Sequence, residues 1–150
     1  MKKMLLNSLI FTIKANHAWF HSAHHVSKGE SFIGDHGKLY SKIYESLQDS
    51  LDQIIEKSIS MTDCESIACP IAIYKGALAK LTCYTPPVDL SGKEIASLAL
   101  EIELNFLLFL EEVFYDLEEQ NALSLGLNDY LSALANQHET FVYKLKQRVK

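Results

Sequence analysis

Five of the six histidines in this 150-residue chain fall in one stretch, as His17, His21, His24, His25 and His36. The run reads N-H-A-W-F-H-S-A-H-H-V-S-K-G-E-S-F-I-G-D-H. Imidazole is the side chain best suited to bind a metal near neutral pH, because its proton leaves at ordinary physiological values. A helix that carries four histidines, ends at a glycine and is followed by a second helix opening on another histidine makes a metal-binding corner. The competing reading is structural: each histidine taken alone serves equally well as a core-edge residue satisfied by hydrogen bonds. Two inward-facing histidines a turn or two apart are less usual in a purely structural core. Other chemistries have little support, since the chain has no Gly-rich phosphate loop, no G-x-S-x-G and no cysteine with a histidine partner.

The elements that must position these residues follow from periodicity. A first helix is expected from about Lys3 to Ser27, with Leu6, Leu9, Ile10, Ile13, His17, Phe20 and His24 on one stripe. His21 lies on the flank of that stripe, Trp19 reads as a packing residue, and Gly29 is the C-terminal stop. A second helix opens between Ser31 and Asp35 and ends near Met61, burying Leu39, Ile43, Leu47, Leu51 and Ile54. His36 and Tyr40 share that stripe, while Glu45, Asp49, Asp52 and Glu56 read as a solvated face. Between Thr62 and Leu90 lie all three cysteines and all three prolines, and a short helix is expected at Ile71 to Leu81. The segment is a packed crossover rather than a linker.

Ser91-Gly92-Lys93-Glu94 is a capping box that opens a third long helix running to about Gln120. Between Leu104 and Leu110 that helix is apolar nearly all round, which predicts burial on several sides. Gly126 is expected to break the chain and Asn128 to cap a fourth helix with Leu131, Leu134, Ala135, His138, Val142, Leu145 and Val149 on one stripe. Four long helices, two tight hairpins and a long crossover carrying a short helix make an all-α, ferritin-like four-helix bundle, as one domain over residues 1–150. In such a bundle His17, His24, Glu101 and His138 all have inward phase. They offer an interior metal site, with His21 on its flank and Tyr40 and Tyr44 as outer partners. No pair of E-x-x-H motifs supports an ordinary ferritin-type di-iron centre.

Composition narrows the partners. The net charge is −5 and the only basic cluster is at the C-terminal end, which argues against a broad cationic face for nucleic acid. Cys64, Cys69 and Cys83 are an odd number without C-x-x-C spacing, so a reducing cytoplasmic setting is expected. The apolar start is interrupted by Asn7, Ser8 and Thr12 and reads as helix rather than signal peptide. No run has the length and apolar character of a membrane span, so no membrane partner is expected.

The block from His24 to Glu56 resembles the Dps proteins, the small dodecameric ferritins of bacteria. Their pattern is a histidine closing the first helix, a loop with Gly and then Phe, a second histidine twelve residues after the first, and an Asp-x-x-x-Glu further along. Here those features are His24, Gly29, Phe32, His36 and the pair Asp52 and Glu56. The ending N-Q-H-E-T-F-V-Y-K-L-K-Q-R-V-K is similar to that family's last helix. The resemblance implies a homo-oligomer, a dodecamer in the family, with His24 and His36 from one subunit and Asp52 and Glu56 from its two-fold mate. Iron(II) is bound there, oxidised by peroxide or oxygen, and stored as mineral.

The chain departs from the pattern twice. Tyr40 stands where the family has an acid, and the interval from His36 to Asp52 is one residue longer. Fifteen residues of regular α-helix turn a side chain by about 60°, whereas sixteen turn it by about 160°. A regular helix therefore puts Leu51 and Ile55 on the face of His36 in place of the acids, and a π-bulge between Gly37 and Ser46 restores them. Three functions stand open: a Dps-like ferroxidase or iron store, a metal site inside the bundle, and a non-enzymatic ferritin-like interaction protein.

Overall fold

The computed structural model describes residues 1–150, and its regular structure is all helical, without strands. Helix α1, Lys2–Val26, buries two faces rather than one. Leu6, Leu9, Ile10, Ile13 and Phe20 enter the common core, and Ala15, Asn16, Trp19 and Ala23 are covered as well. The second face is closed by the crossover: Trp19 Nε1 donates to the Thr85 carbonyl at 2.8 Å, and the Tyr84 hydroxyl donates to Asn16 Oδ1 at 2.7 Å. Past Val26 the chain turns at Gly29, whose φ of +85° is the left-handed conformation that glycine takes without steric cost.

The next rod, α2, is one run of helix in three parts: a turn at Phe32–Gly34, a π-helical turn at Asp35–Tyr40, and regular α-helix at Ser41–Thr62. It stops where Asp63 adopts a left-handed φ of 49°. A 3-10 turn, Glu65–Ala68, leads into α3, Pro70–Leu81, which opens on Pro70, one residue before the expected start. Gly76 lets α3 lie against α1, because a Cβ there would fall 2.3 Å from the Phe11 ring.

Helix α4, Gly92–Glu119, starts at the predicted capping box, with Glu94 N–H donating to Ser91 Oγ and Ser91 N–H donating to Glu94 Oε2. The following turn differs from expectation. Asn121, at φ 50°, ends α4, and Ser124 caps α5, Leu125–Val149, by accepting from Leu127 N–H at 3.1 Å. Gly126 and Asn128 therefore lie within the first turn of α5 instead of marking its boundary. Either residue type can end or start a helix, and Asn121 with Ser124 satisfies the free backbone groups one turn earlier.

Helices α1 and α2 form one hairpin and α4 and α5 the other, with α3 bridging them on the outside of α1. Two polar ties join the hairpins. The Tyr130 hydroxyl donates to the Ser50 carbonyl at 2.8 Å, and Arg148 near the end of α5 grips Asp35 in the π turn through Nε and Nη2 at 2.9–3.1 Å. The run Leu104–Leu110 is buried on one side only: Phe106 and Leu110 are in the core, but Leu108 is 59% exposed. An open groove between α4 and α5, about 680 Å³ in volume, is lined by Leu104, Leu107, Leu108, Phe114 and Leu131. No helix is long and apolar enough to cross a membrane.

Candidate metal centre

The loop after α1 brings His24, in the last turn of α1, against His36, in the first turns of α2. Their rings stack with centroids 3.8 Å apart and an interplanar angle of 18°, and Phe32 stacks on His36 at 5.1 Å. The two histidines bond each other's backbone. His24 Nδ1 donates to the His36 carbonyl at 2.7 Å, and His36 Nδ1 donates to the His24 carbonyl at 2.9 Å. The cause is local: the last carbonyls of a helix have no backbone partner within it, so the His24 carbonyl accepts from side chains, Ser27 Oγ at 3.0 Å and His36 Nδ1. Because each Nδ1 faces a carbonyl, each must carry the proton, and Nε2 of both rings is left as a lone-pair donor. This is the arrangement a metal-ligating histidine uses, with its second nitrogen anchored to a carbonyl that fixes ring and tautomer.

The remaining two residues of the expected set, Asp52 and Glu56, lie on the exposed face of α2, where Asp52 Oδ1 accepts only from Gln48 at 3.2 Å. They do not meet the histidines within one chain, as no three or more His, Cys, Asp or Glu side chains converge. Their phase follows from the π turn. One turn of i→i+5 bonding at Asp35–Tyr40 takes up one extra residue, so the sixteen-residue interval rotates as about fifteen residues of α-helix do, by about 60°. Asp52 and Glu56 thereby share the side of α2 that carries His36. The bulge begins two residues before the expected Gly37–Ser46 window, where the buried Asp35, 2% exposed, is clamped by Arg148.

The interior alternative is not assembled. Glu101 is exposed on α4, and the acid that does point inward is Glu103, whose Oε2 accepts from His138 Nδ1 at 2.6 Å with both side chains out of water. His138 lies between Phe106 and Phe141, away from His17, which packs edge-on against Tyr44 at 5.9 Å. Tyr40 is not an outer ligand: it is buried against Phe20 with its hydroxyl unpartnered, and burial pushes its ionisation well above the ordinary phenol range. Tyr44, one turn on, is the tyrosine that faces the histidines, with ring centroids 4.8 Å from His21 and 5.3 Å from His24. His17 itself is lowered to about 4, chiefly by burial and then by Lys14 and His21.

One buried candidate, Glu103, was not singled out from the sequence, and His25 was read only as part of the histidine run. Glu103 sits among Ala99, Ile102, Phe106 and Leu110, and an acid between such residues was the available signal. His25 points round the helix to His21, a juxtaposition that their four-residue spacing alone announces.

No family model matches the chain, and no curated protein matches it. Among solved structures, Dps from Mycobacterium smegmatis in a tetragonal form superposes with a TM-score of 0.77 at 18% sequence identity, covering 99% of this chain and 86% of that one. The similarity covers nearly the whole chain, so the bundle read from periodicity shares the ferritin-like fold of that Dps.

Proposed function

We propose that the chain is a single-domain subunit of a Dps-like shell that binds iron(II) between two copies, with His24 and His36 from one and Asp52 and Glu56 from its two-fold mate. The observation that carries this reading is the reciprocal bonding of His24 and His36, which commits both Nδ1 atoms to carbonyls and keeps both Nε2 atoms for a metal. Two imidazoles and two carboxylates suit iron with positions left open for an oxidant. Iron is the substrate: two iron(II) ions each give up one electron to hydrogen peroxide, whose O–O bond breaks and which leaves, with two protons, as two waters. The three cysteines are unpaired, in keeping with a reducing cytoplasm where iron(II) persists.

Native mass spectrometry after anaerobic iron(II) loading tests the reading. The expected result is a dodecameric shell that keeps iron in the wild type and loses it in His36→Ala. A small oligomer that keeps none, or iron retained equally by His36→Ala, overturns it. The first of those outcomes leaves a ferritin-like interaction protein. The exposed apolar groove between α4 and α5 then becomes its partner face.

A further inference from the structure

We propose that His21 and His25 form a second metal site, a two-imidazole chelate for one borderline divalent transition-metal ion such as zinc(II) or copper(II), on the exposed side of α1. The site needs no second subunit and does not rest on the iron reading. The two residues are four apart on a regular helix, which places their side chains one above the other. Their rings are 4.6 Å apart between centroids, and the two Nε2 atoms approach to 3.2 Å. A tetrahedral ion with metal–nitrogen bonds of 2.0–2.1 Å holds neighbouring nitrogens about 3.3 Å apart, and an octahedral one about 2.9 Å apart. The 3.2 Å gap lies between these values, so an ion can bridge the pair once the two rings turn their Nε2 lone pairs toward a common point.

In the metal-free chain one Nε2 must carry a proton and donate it to the other, since two bare lone pairs at that distance repel. Metal binding replaces that shared proton. The proton passes through water to Nδ1 of the same ring, so each ring carries its hydrogen on Nδ1 and both Nε2 atoms coordinate. The helix backbone already fixes the spacing, so binding orders only two side chains, and Tyr44 buttresses His21 with its ring centroid 4.8 Å away.

The donor set chooses the metal. Two neutral nitrogens and water favour copper(II) and zinc(II), whereas hard cations such as magnesium and calcium require oxygen ligands. No acid joins the pair within the chain, in contrast to the carboxylates assigned to iron. His17 and His24 flank the pair, with ring centroids 5.9 Å from His21 and 5.3 Å from His25 respectively.

Zinc(II) is the probe, titrated by calorimetry into the full chain carrying His36→Ala, so that the other histidine pair is broken. One zinc per chain is expected to bind and to raise the melting temperature. Adding His21→Ala or His25→Ala should each weaken binding at least on the order of 10- to 100-fold, the loss that removal of even an outer-shell partner produces. Both positions are exposed and alanine favours helix, so these variants fold. Unchanged zinc affinity in either one, or no zinc bound by the His36→Ala parent, overturns the site.

Discussion

Glu103 and His138 meet inside the bundle with neither side chain touching solvent, yet Glu103 Oε1 and His138 Nε2 have no partner. A buried polar pair of this kind contributes little net stability, but removing one member strands the other. Glu103→Leu or His138→Leu alone is therefore expected to cost about 3–5 kcal/mol, while the two together cost far less than the sum of the singles. Urea denaturation of the two single variants and the double variant measures this coupling.

His17 behaves differently, because its half-buried ring is held neutral, with its pKa lowered from 6.5 to about 4. Above pH 6.5 neither the folded nor the unfolded chain carries that proton. As the pH falls, the unfolded chain takes it up first, so stability declines from 6.5 down to about 4 and this contribution is constant below. His17→Gln should flatten that part of the profile of melting temperature against pH, recorded with chelator present. An equal slope in both proteins would refute the assignment.

At the scale of elements, α2 carries the most informative departure from regularity. The surplus residue between His36 and Asp52 was legible as an arithmetic conflict between spacing and phase. Its resolution was not, because whether residues 35–40 bond i→i+4 or i→i+5 depends on the Asp35–Arg148 clamp and on the backbone bonds of the two histidines. Deleting Gly37 should let the rod become regular α-helix with a fifteen-residue interval, leaving Asp52 and Glu56 in phase and iron binding intact. Inserting one alanine there should turn them away by about 100° and abolish it.

The other elements divide along similar lines. The capping box at Ser91 was readable, because a cap is a local bargain between neighbouring residues. Glu101 was mis-phased since the all-round apolar run that follows it gives no preferred face, and Glu103 took the inward place. Glycines separate by the same local-against-tertiary divide. Gly37 has open space where a Cβ would go and no left-handed φ, so Gly37→Ala should stabilise by about 0.4–1 kcal/mol. Gly76 faces Phe11, so Gly76→Ala should cost about 1–3 kcal/mol through overpacking. Thermal melts of the two variants should move in opposite directions.

The whole molecule raises the question of where the missing ligands come from. Within one chain the two imidazoles of His24 and His36 have no acid beside them, and the acids of α2 have no imidazole. An interface related by a two-fold axis resolves both deficits at once, because each copy then lends its carboxylates to the other's histidines. This makes a prediction that no intrachain site shares. The double variant His24→Ala/His36→Ala lacks nitrogen donors, and Asp52→Ala/Glu56→Ala lacks oxygen donors, so each assembled alone should bind no iron at the site. When the two are refolded together, a mixed pair has one complete site, with histidines from the second variant and acids from the first, and one site empty of all four. Random pairing at equal amounts makes about half the pairs mixed, so about a quarter of the wild-type iron stoichiometry should return. Iron counted by native mass spectrometry on the co-refolded sample decides the matter. Recovery near that fraction places the ligands on different subunits, whereas no recovery means that the histidines and the acids never serve one ion.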